Sequence, residues 1–240
     1  MPKDTGARKG SMAEHVYEGV KADLFSFRLM PGDRFSEGEI GSRLRASRTP
    51  VREALYRLQQ EGYVEVLFRS GWRVKPLDPK QLDDLFELRL TIELAAVDKL
   101  CSSPETNLQL RALLRLQSPP SVSGRGITGP DRPPEACFHH ALVRAAGNQE
   151  MVRIHREVSE RLRLALALGL HKRGKAGKPA THGEILSALL VRNITRAKSL
   201  LTDHIRNAQQ VVSEITREDG GHSLTEPATT TESRYRAHKY

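Results

Sequence analysis

The chain has 240 residues and a formal net charge of +9, from 38 lysines and arginines against 29 aspartates and glutamates. That length suits two domains of ordinary size, and the basic excess favours an anionic partner, nucleic acid being the commonest. The only cysteines, Cys101 and Cys137, have no paired motif spacing, which excludes a disulfide scaffold and fits a reducing cytoplasm. No apolar run approaches the roughly 20 residues of a bilayer-spanning helix, so no membrane partner is expected. The charged first ten residues lack the apolar stretch of a secretion signal.

Residues 1–12 read as a flexible tail. From Glu14 to Phe27 the apolar residues Val16, Val20, Leu24 and Phe27 recur at helical spacing, and Met30-Pro31-Gly32-Asp33 stops that helix. Ser36 and Glu39 form the S-x-x-E pattern of a capping box, opening a short helix with Ile40 and Leu44 on its apolar side. A third helix starts around Ser47 to Pro50, where a first-turn proline is tolerated, and ends at Gly62. Two β-prone runs, Tyr63–Phe68 and Trp72–Val74, flank Arg69-Ser70-Gly71 and predict a hairpin. Residues 13–76 therefore read as a winged helix-turn-helix of three helices plus a β-hairpin wing.

Beyond the Pro76–Pro79 connector the pattern is helical, so the chain is mainly α, with residues 77–217 forming an all-α helical bundle. Helices are expected at Gln81–Leu100, Leu108–Leu116, Glu135–Ala146, Glu150–Leu170, His182–Val191 and Thr195–Arg217. The first carries Leu82, Leu85, Ile92, Ala95, Ala96 and Leu100 on its apolar stripe. Ser118–Pro134 and Lys172–Pro179 read as loops. Residues 218–240 lack apolar content and read as a disordered tail.

On a helical wheel, Val51, Ala54, Leu55 and Leu58 of the third helix fall on one side, while Arg48, Thr49, Arg52 and Tyr56 fall mainly on the other. Guanidinium groups one turn apart at a helix N-terminus suit bidentate contacts to guanine or to phosphate, and Arg45 stands just ahead of them. A solvated basic face is the bland alternative. The capped helix, the short turn, the arginines and the following hairpin together favour double-stranded DNA. One winged helix covers few base pairs, so a homodimer on an inverted-repeat operator is expected.

His15–Val74 resembles the winged-helix domain of GntR-type bacterial regulators. The likeness rests on Met30-Pro31-Gly32-Asp33-Arg34-Phe35, the run Ser47-Arg48-Thr49-Pro50-Val51-Arg52-Glu53-Ala54-Leu55, Glu61-Gly62 and Gly71-Trp72-Arg73-Val74. The resemblance implies that Ser47, Arg48, Thr49 and Arg52 contact operator phosphates and bases, and that Ser70 and Gly71 at the wing tip reach the minor groove. Two positions depart from the family pattern. Arg45-Ala46 replaces Gly-Val, placing Arg45 in a backbone conformation that glycine prefers at a cost of ~1 kcal/mol and adding a phosphate contact. Gly41 replaces a favoured alanine, weakening the second helix slightly.

The second half resembles the C-terminal (FCD) domain of the FadR-type branch of that family. The residues are Asp84-Leu85-Phe86-Glu87-Leu88-Arg89 with Glu93, Phe138-His139, Ala146-Gly147-Asn148, and His182 followed by Ala188 and His204. The resemblance implies a pocket for a small organic acid effector, in many members with a divalent metal. Glu135 and His139 lie four apart on one helix face, and a helix hairpin turning near Arg192-Asn193 would bring His182 and His204 level. Three imidazoles and a carboxylate suit Zn, Ni or Mn, although the family has aspartate at the place of Glu135. His140, His155 and His171 read as surface or satisfied core residues. Arg89, on an apolar stripe, needs an anion: an effector carboxylate is the favoured reading, and a salt bridge to Glu93 the alternative. The stretch Ser118–Pro134 replaces part of a helix that usually helps close the domain.

These features predict a cytoplasmic transcriptional regulator, a repressor whose operator binding responds to a small organic acid, and not an enzyme. Release from DNA is the commoner effector response in the resembled family. A metal-dependent hydrolase is the rival reading, but no HExxH, catalytic triad or phosphate loop supports it. An architectural DNA-binding protein without an effector is a second rival, and the large helical domain argues against it.

Overall fold

The computed structural model describes residues 11–102, 134–173 and 182–222, with side chains described over 11–102, 138–172 and 182–217. The expected helix Leu108–Leu116, most of the Ser118–Pro134 stretch, and residues 1–10, 174–181 and 223–240 lie outside the described residues. The chain divides into two compact units, the second spanning Asp78–Glu218, so the last residues of the final helix run past its end.

In the first unit, helix α1 (Met12–Phe25) begins inside the stretch read as tail, because the Ser11 hydroxyl accepts from the Glu14 amide at 3.1 Å. It buries Val16, Tyr17, Val20 and Leu24 and packs on the third helix. Asp23, fully buried near its end, is held by Arg28 at 2.7 Å and by Arg43. Helix α2 (Glu37–Leu44) opens with the expected capping box: Ser36 Oγ accepts from Glu39 N at 3.2 Å and Glu39 Oε2 accepts from Ser36 N at 2.6 Å. It closes on Arg45, left-handed at φ 52°, and the Ala46 amide donates to the Gly41 carbonyl at 3.0 Å. A Cβ on Gly41 would lie 2.8 Å from the Ala46 carbonyl oxygen. Glycine is therefore what lets this turn fold back so tightly, a role that helix propensity does not reveal. Helix α3 (Arg48–Gln60) follows and buries Val51, Ala54, Leu55 and Leu58, the side the wheel assigns to the core.

Strands β2 (Val64–Leu67) and β3 (Gly71–Val74) form the expected hairpin, but the sheet has a further strand. Strand β1 (Arg34–Phe35) pairs antiparallel with β3, Arg34 opposite Arg73 and Phe35 opposite Trp72, giving the order β1-β3-β2. Two residues are too short for an alternating pattern to register, so only the pairing reveals it. Gly71 has φ 82°, and a Cβ there would meet the Phe35 carbonyl oxygen at 2.8 Å.

The second unit contains α4 (Pro79–Ser102), α5 (Pro134–Ala145), α6 (Gln149–Arg173), α7 (His182–Leu190) and α8 (Ile194–His222). Helix α4 starts at Pro79 because Asp78 Oδ1 caps it, accepting from Lys80 N at 3.0 Å and Gln81 N at 3.3 Å. Its buried stripe runs Leu82, Leu85, Phe86, Arg89, Glu93, Ala96, Val97 and Leu100, and it packs against α5, α6 and α7. Ala95, expected on that stripe, is exposed and Ile92 only half-buried, because Arg89 and Glu93 occupy the inward positions instead. Between α7 and α8, Arg192 is left-handed at φ 54° and Asn193 Oδ1 accepts from Arg196 N at 3.0 Å, forming the expected hairpin. Helix α8 continues past Arg217 to His222, beyond the helix end read from the sequence. Among the described residues no helix is long and apolar enough to cross a membrane.

Candidate DNA-reading surface and candidate metal centre

Arg45, Ser47, Arg48, Thr49 and Arg52 are all exposed, gathered on the turn and the first turns of α3. Arg52 is engaged: its Nε donates to Glu37 Oε1 at 3.0 Å and its Nη2 to Glu37 Oε2 at 2.9 Å. That hydrogen-bonded pairing, against mild desolvation, holds the Glu37 carboxyl below its ordinary range, with a smaller contribution from Arg48. The Trp72 indole N–H lies 3.5 Å from Glu37 Oε1, and the Trp72 ring meets Tyr56 edge-on at 5.5 Å. At the wing, Phe68, Arg69 and Ser70 are exposed, whereas Gly71 is half-buried as the first residue of β3. The Arg69 guanidinium lies 5.0 Å from the Phe68 ring centre.

In the helical unit, three histidines from three helices converge. His139 on α5, His182 at the start of α7 and His204 on α8 each offer a ring nitrogen, and these atoms all lie within 4.8 Å of one another. The Nε2 of His204 is 3.1 Å from that of His139 and 3.3 Å from that of His182. Two nitrogens bound ~2.1 Å from one ion, at angles between octahedral and tetrahedral, lie about 3.0–3.4 Å apart. The two pairs through His204 therefore have the spacing of ligands to one divalent transition metal, while the third pair, with all three atoms within 4.8 Å of one another, closes on a common ion by a small side-chain adjustment. Burial, reinforced by Arg89, pushes His139 down to about 3, and burial with His204 pushes His182 down to about 4, so both rings are neutral at pH 7, as ligands must be. Phe138 stacks on the His182 ring at 4.1 Å and fixes its plane. Glu135 sits one turn before His139 on α5, and its side chain lies outside the described residues.

Behind the histidines lies a carboxylate that sequence reasoning weighed only as a partner of Arg89. Glu93, fully buried, accepts from His139 Nδ1 at 2.6 Å, from His155 Nε2 at 3.0 Å and from Arg89 Nε at 2.9 Å. Burial alone would push its carboxyl up, but His139, Arg89 and the hydrogen bonds outweigh it and hold the group well below the carboxylate range. Accepting from Nδ1–H sets the His139 tautomer and turns its Nε2 lone pair toward the other rings, a carboxylate–histidine arrangement typical of metal sites. His155 is a core residue, one of the two readings the sequence offered, but only half satisfied: its Nε2 pairs with this hub while its buried Nδ1 has no hydrogen-bond partner among the described residues; His140 is half-buried and His171 exposed. Arg89, 5% exposed, gives Glu93 only its Nε, and its Nη groups have no hydrogen-bond partner among the described residues. The available signal was the spacing: Arg89 and Glu93 continue the i, i+3/i+4 series of α4's buried residues.

A winged helix-turn-helix with an arginine-fronted recognition helix, followed by an all-helical unit built round a histidine cluster, defines a DNA-binding transcriptional regulator. The profile described as "Bacterial regulatory proteins, gntR family" matches residues 12–74, and that described as "FCD domain" matches residues 84–207. The chain belongs to the GntR family, in its branch with an FCD domain. It is 31% identical over 192 residues to the "Nta operon transcriptional regulator" of Aminobacter aminovorans, covering 80% of this chain and 90% of the relative. It is 26% identical over 200 residues to the "Probable D-xylose utilization operon transcriptional repressor" of Paenarthrobacter nicotinovorans, covering 81% and 86%. Among solved structures, E. coli McbR/YncC shares the fold with a TM-score of 0.56 at 23% identity, over 85% of this chain and 98% of that one. These relatives and domains are those of transcriptional regulators, not of enzymes.

Proposed function

We propose that this regulator is a cytoplasmic homodimeric repressor that binds an inverted-repeat operator and is controlled by a small organic acid held in its helical domain beside a divalent metal. The observation that carries the effector reading is the convergence of His139, His182 and His204 next to a buried arginine whose Nη groups are unused among the described residues. His139, His182 and His204 would hold the ion, with Glu135 from the preceding turn; bound there, it supplies a Lewis-acidic position for a carboxylate oxygen. Arg89 then pairs the effector's charge, and Glu93 keeps His139 in the ligating tautomer. On the DNA side, Arg48 and Arg52 read bases, Arg45, Ser47 and Thr49 hold phosphates, and the wing at Ser70 and Gly71 reaches the minor groove. The relative described as a xylose-operon repressor supports the sign of regulation.

The test begins by selecting bound sequences from a randomised duplex library. Enriched sites should be inverted repeats, bound by a dimer in light scattering, and Arg48→Ala should weaken binding by about 1–3 kcal/mol. Acetate, lactate, succinate and citrate are then titrated against the zinc-, nickel- or manganese-loaded protein on a selected site. At least one should release it, and His182→Ala should abolish the response while leaving DNA binding intact. A His182→Ala protein that still responds, or metal-stripped protein that gains no thermal stability from any of the three ions, refutes the metal reading.

A further inference from the structure

We infer that Glu37 is a specificity-determining residue: it clamps Arg52 by one edge so that the opposite edge is presented, pre-oriented, to a guanine. This rests on the reading of Arg52 as a base contact. A guanidinium has two edges that present parallel N–H groups, one built from Nε and Nη2 and the other from Nη1 and Nη2. Glu37 takes the first, at 3.0 and 2.9 Å. The second edge remains available to a guanine O6/N7 pair, and Nη1 has no partner among the described residues. The Arg52 side chain is 55% exposed and that of Glu37 only 21%, so the carboxylate lies beneath the arginine.

Glu37 is itself held from several directions. It is the first residue of α2, directly after the Ser36 cap, where the helix N-terminus favours a negative charge. The Trp72 indole N–H of β3 lies on the same oxygen that Arg52 Nε uses. A carboxylate on a face that meets phosphates is electrostatically unfavourable for DNA binding in general. Its place there is explained if what it gives is selectivity: an arginine held in one rotamer reads one base, whereas a free one reaches any nearby phosphate. Glu37 acts through Arg52 and is a positioning residue that touches no base.

The experiment measures wild type, Glu37→Ala, Glu37→Gln, Arg52→Ala and the Glu37→Ala/Arg52→Ala double variant. Each is titrated on a duplex selected from the randomised library and on a scrambled duplex of equal length, at fixed salt. Glu37→Ala should lower the selected-to-scrambled affinity ratio roughly tenfold while binding scrambled DNA as tightly as wild type or more so. Glu37→Gln, which keeps the helix start but not the charge-assisted clamp, should fall between them and melt within a few degrees of wild type. Adding Glu37→Ala to Arg52→Ala should change the ratio no further. If Glu37→Ala keeps the ratio within twofold while Arg52→Ala loses it, the clamp is overturned. If Glu37→Ala instead tightens binding to the selected site selectively, Glu37 is a competitor for Arg52 and the inference is equally overturned. An Arg52→Ala protein with an unchanged ratio removes the underlying reading of Arg52, and this inference with it.

Discussion

Replacing Glu93 with glutamine removes one buried negative charge and leaves its surroundings almost unchanged in volume. Arg89, 5% exposed, would then be a buried cation without a counter-charge, and the His139 and His155 N–H groups would face an amide with a single acceptor oxygen. Breaking a buried ion pair by removing one partner costs about 3–5 kcal/mol; the retained acceptor puts this variant near the lower figure. At about 2–4 °C per kcal/mol for a chain of this size, a loss of about 3 kcal/mol lowers the melting temperature by about 6–12 °C. Urea unfolding of metal-stripped protein measures this without interference from any bound ion. The double variant Arg89→Met/Glu93→Gln separates charge from packing: with both charges gone it should be less destabilised than the sum of the single variants. A Glu93→Gln protein within about 1 kcal/mol of wild type, or strictly additive single variants, would refute the role given to the buried pair.

Acid should destabilise the metal-stripped protein through His139 and His182. Both have folded-state values, about 3 and about 4, below the ordinary 6.5, so below pH 6.5 the unfolded chain takes up protons that the folded one refuses. Stability should be flat in these groups above pH 6.5 and fall toward pH 4 by up to about 1.4 kcal/mol per unit for each ring, and a His182→Ala protein with the same acid slope would contradict this. Gly41→Ala should destabilise despite a helix-propensity gain of up to ~1 kcal/mol, because the new methyl meets the Ala46 carbonyl oxygen at 2.8 Å. A higher melting temperature for that variant would show that the turn can relax. Gly71→Ala, strained at φ 82° and blocked by Phe35, should weaken folding of the wing, read as faster hydrogen exchange at β3 amides.

The helix-turn-helix was legible because its signals are local. A capping box, a first-turn proline and a C-terminal glycine each act within four residues, and the boundaries of α2 and α3 follow from them. The histidine trio was legible because a helix hairpin converts a spacing into a height, and the turn at Arg192-Asn193 lies where that argument needs it. Strand β1 was hidden because its partner lies far along the chain. The Glu93 hub was hidden for a different reason. An Arg–Glu pair at i, i+4 looks the same on a solvated face as in a core, and only the packing of α5 and α6 against α4 decides which it is. Gly41 shows the same limit: its value lies in the carbonyl that approaches it, and no scale of helix propensity contains that oxygen.

Strand β1 has a mechanical consequence. It runs straight into the Ser36 cap of α2 on one side and is laced to β3 on the other, where Val74 N donates to Asp33 O at 2.9 Å and Gly32 N to Val74 O at 3.0 Å. The wing's root and the helix before the turn are thereby tied together through β1, and that helix packs on the recognition helix. Under the effector control proposed above, a change in operator affinity would then come from shifting this reading head as a unit and not from reshaping it. If the chain binds as the effector-controlled dimer proposed above, the preferred base pairs should stay the same with and without effector, while the tolerated distance between operator half-sites changes, like calipers that keep their tips and alter their span.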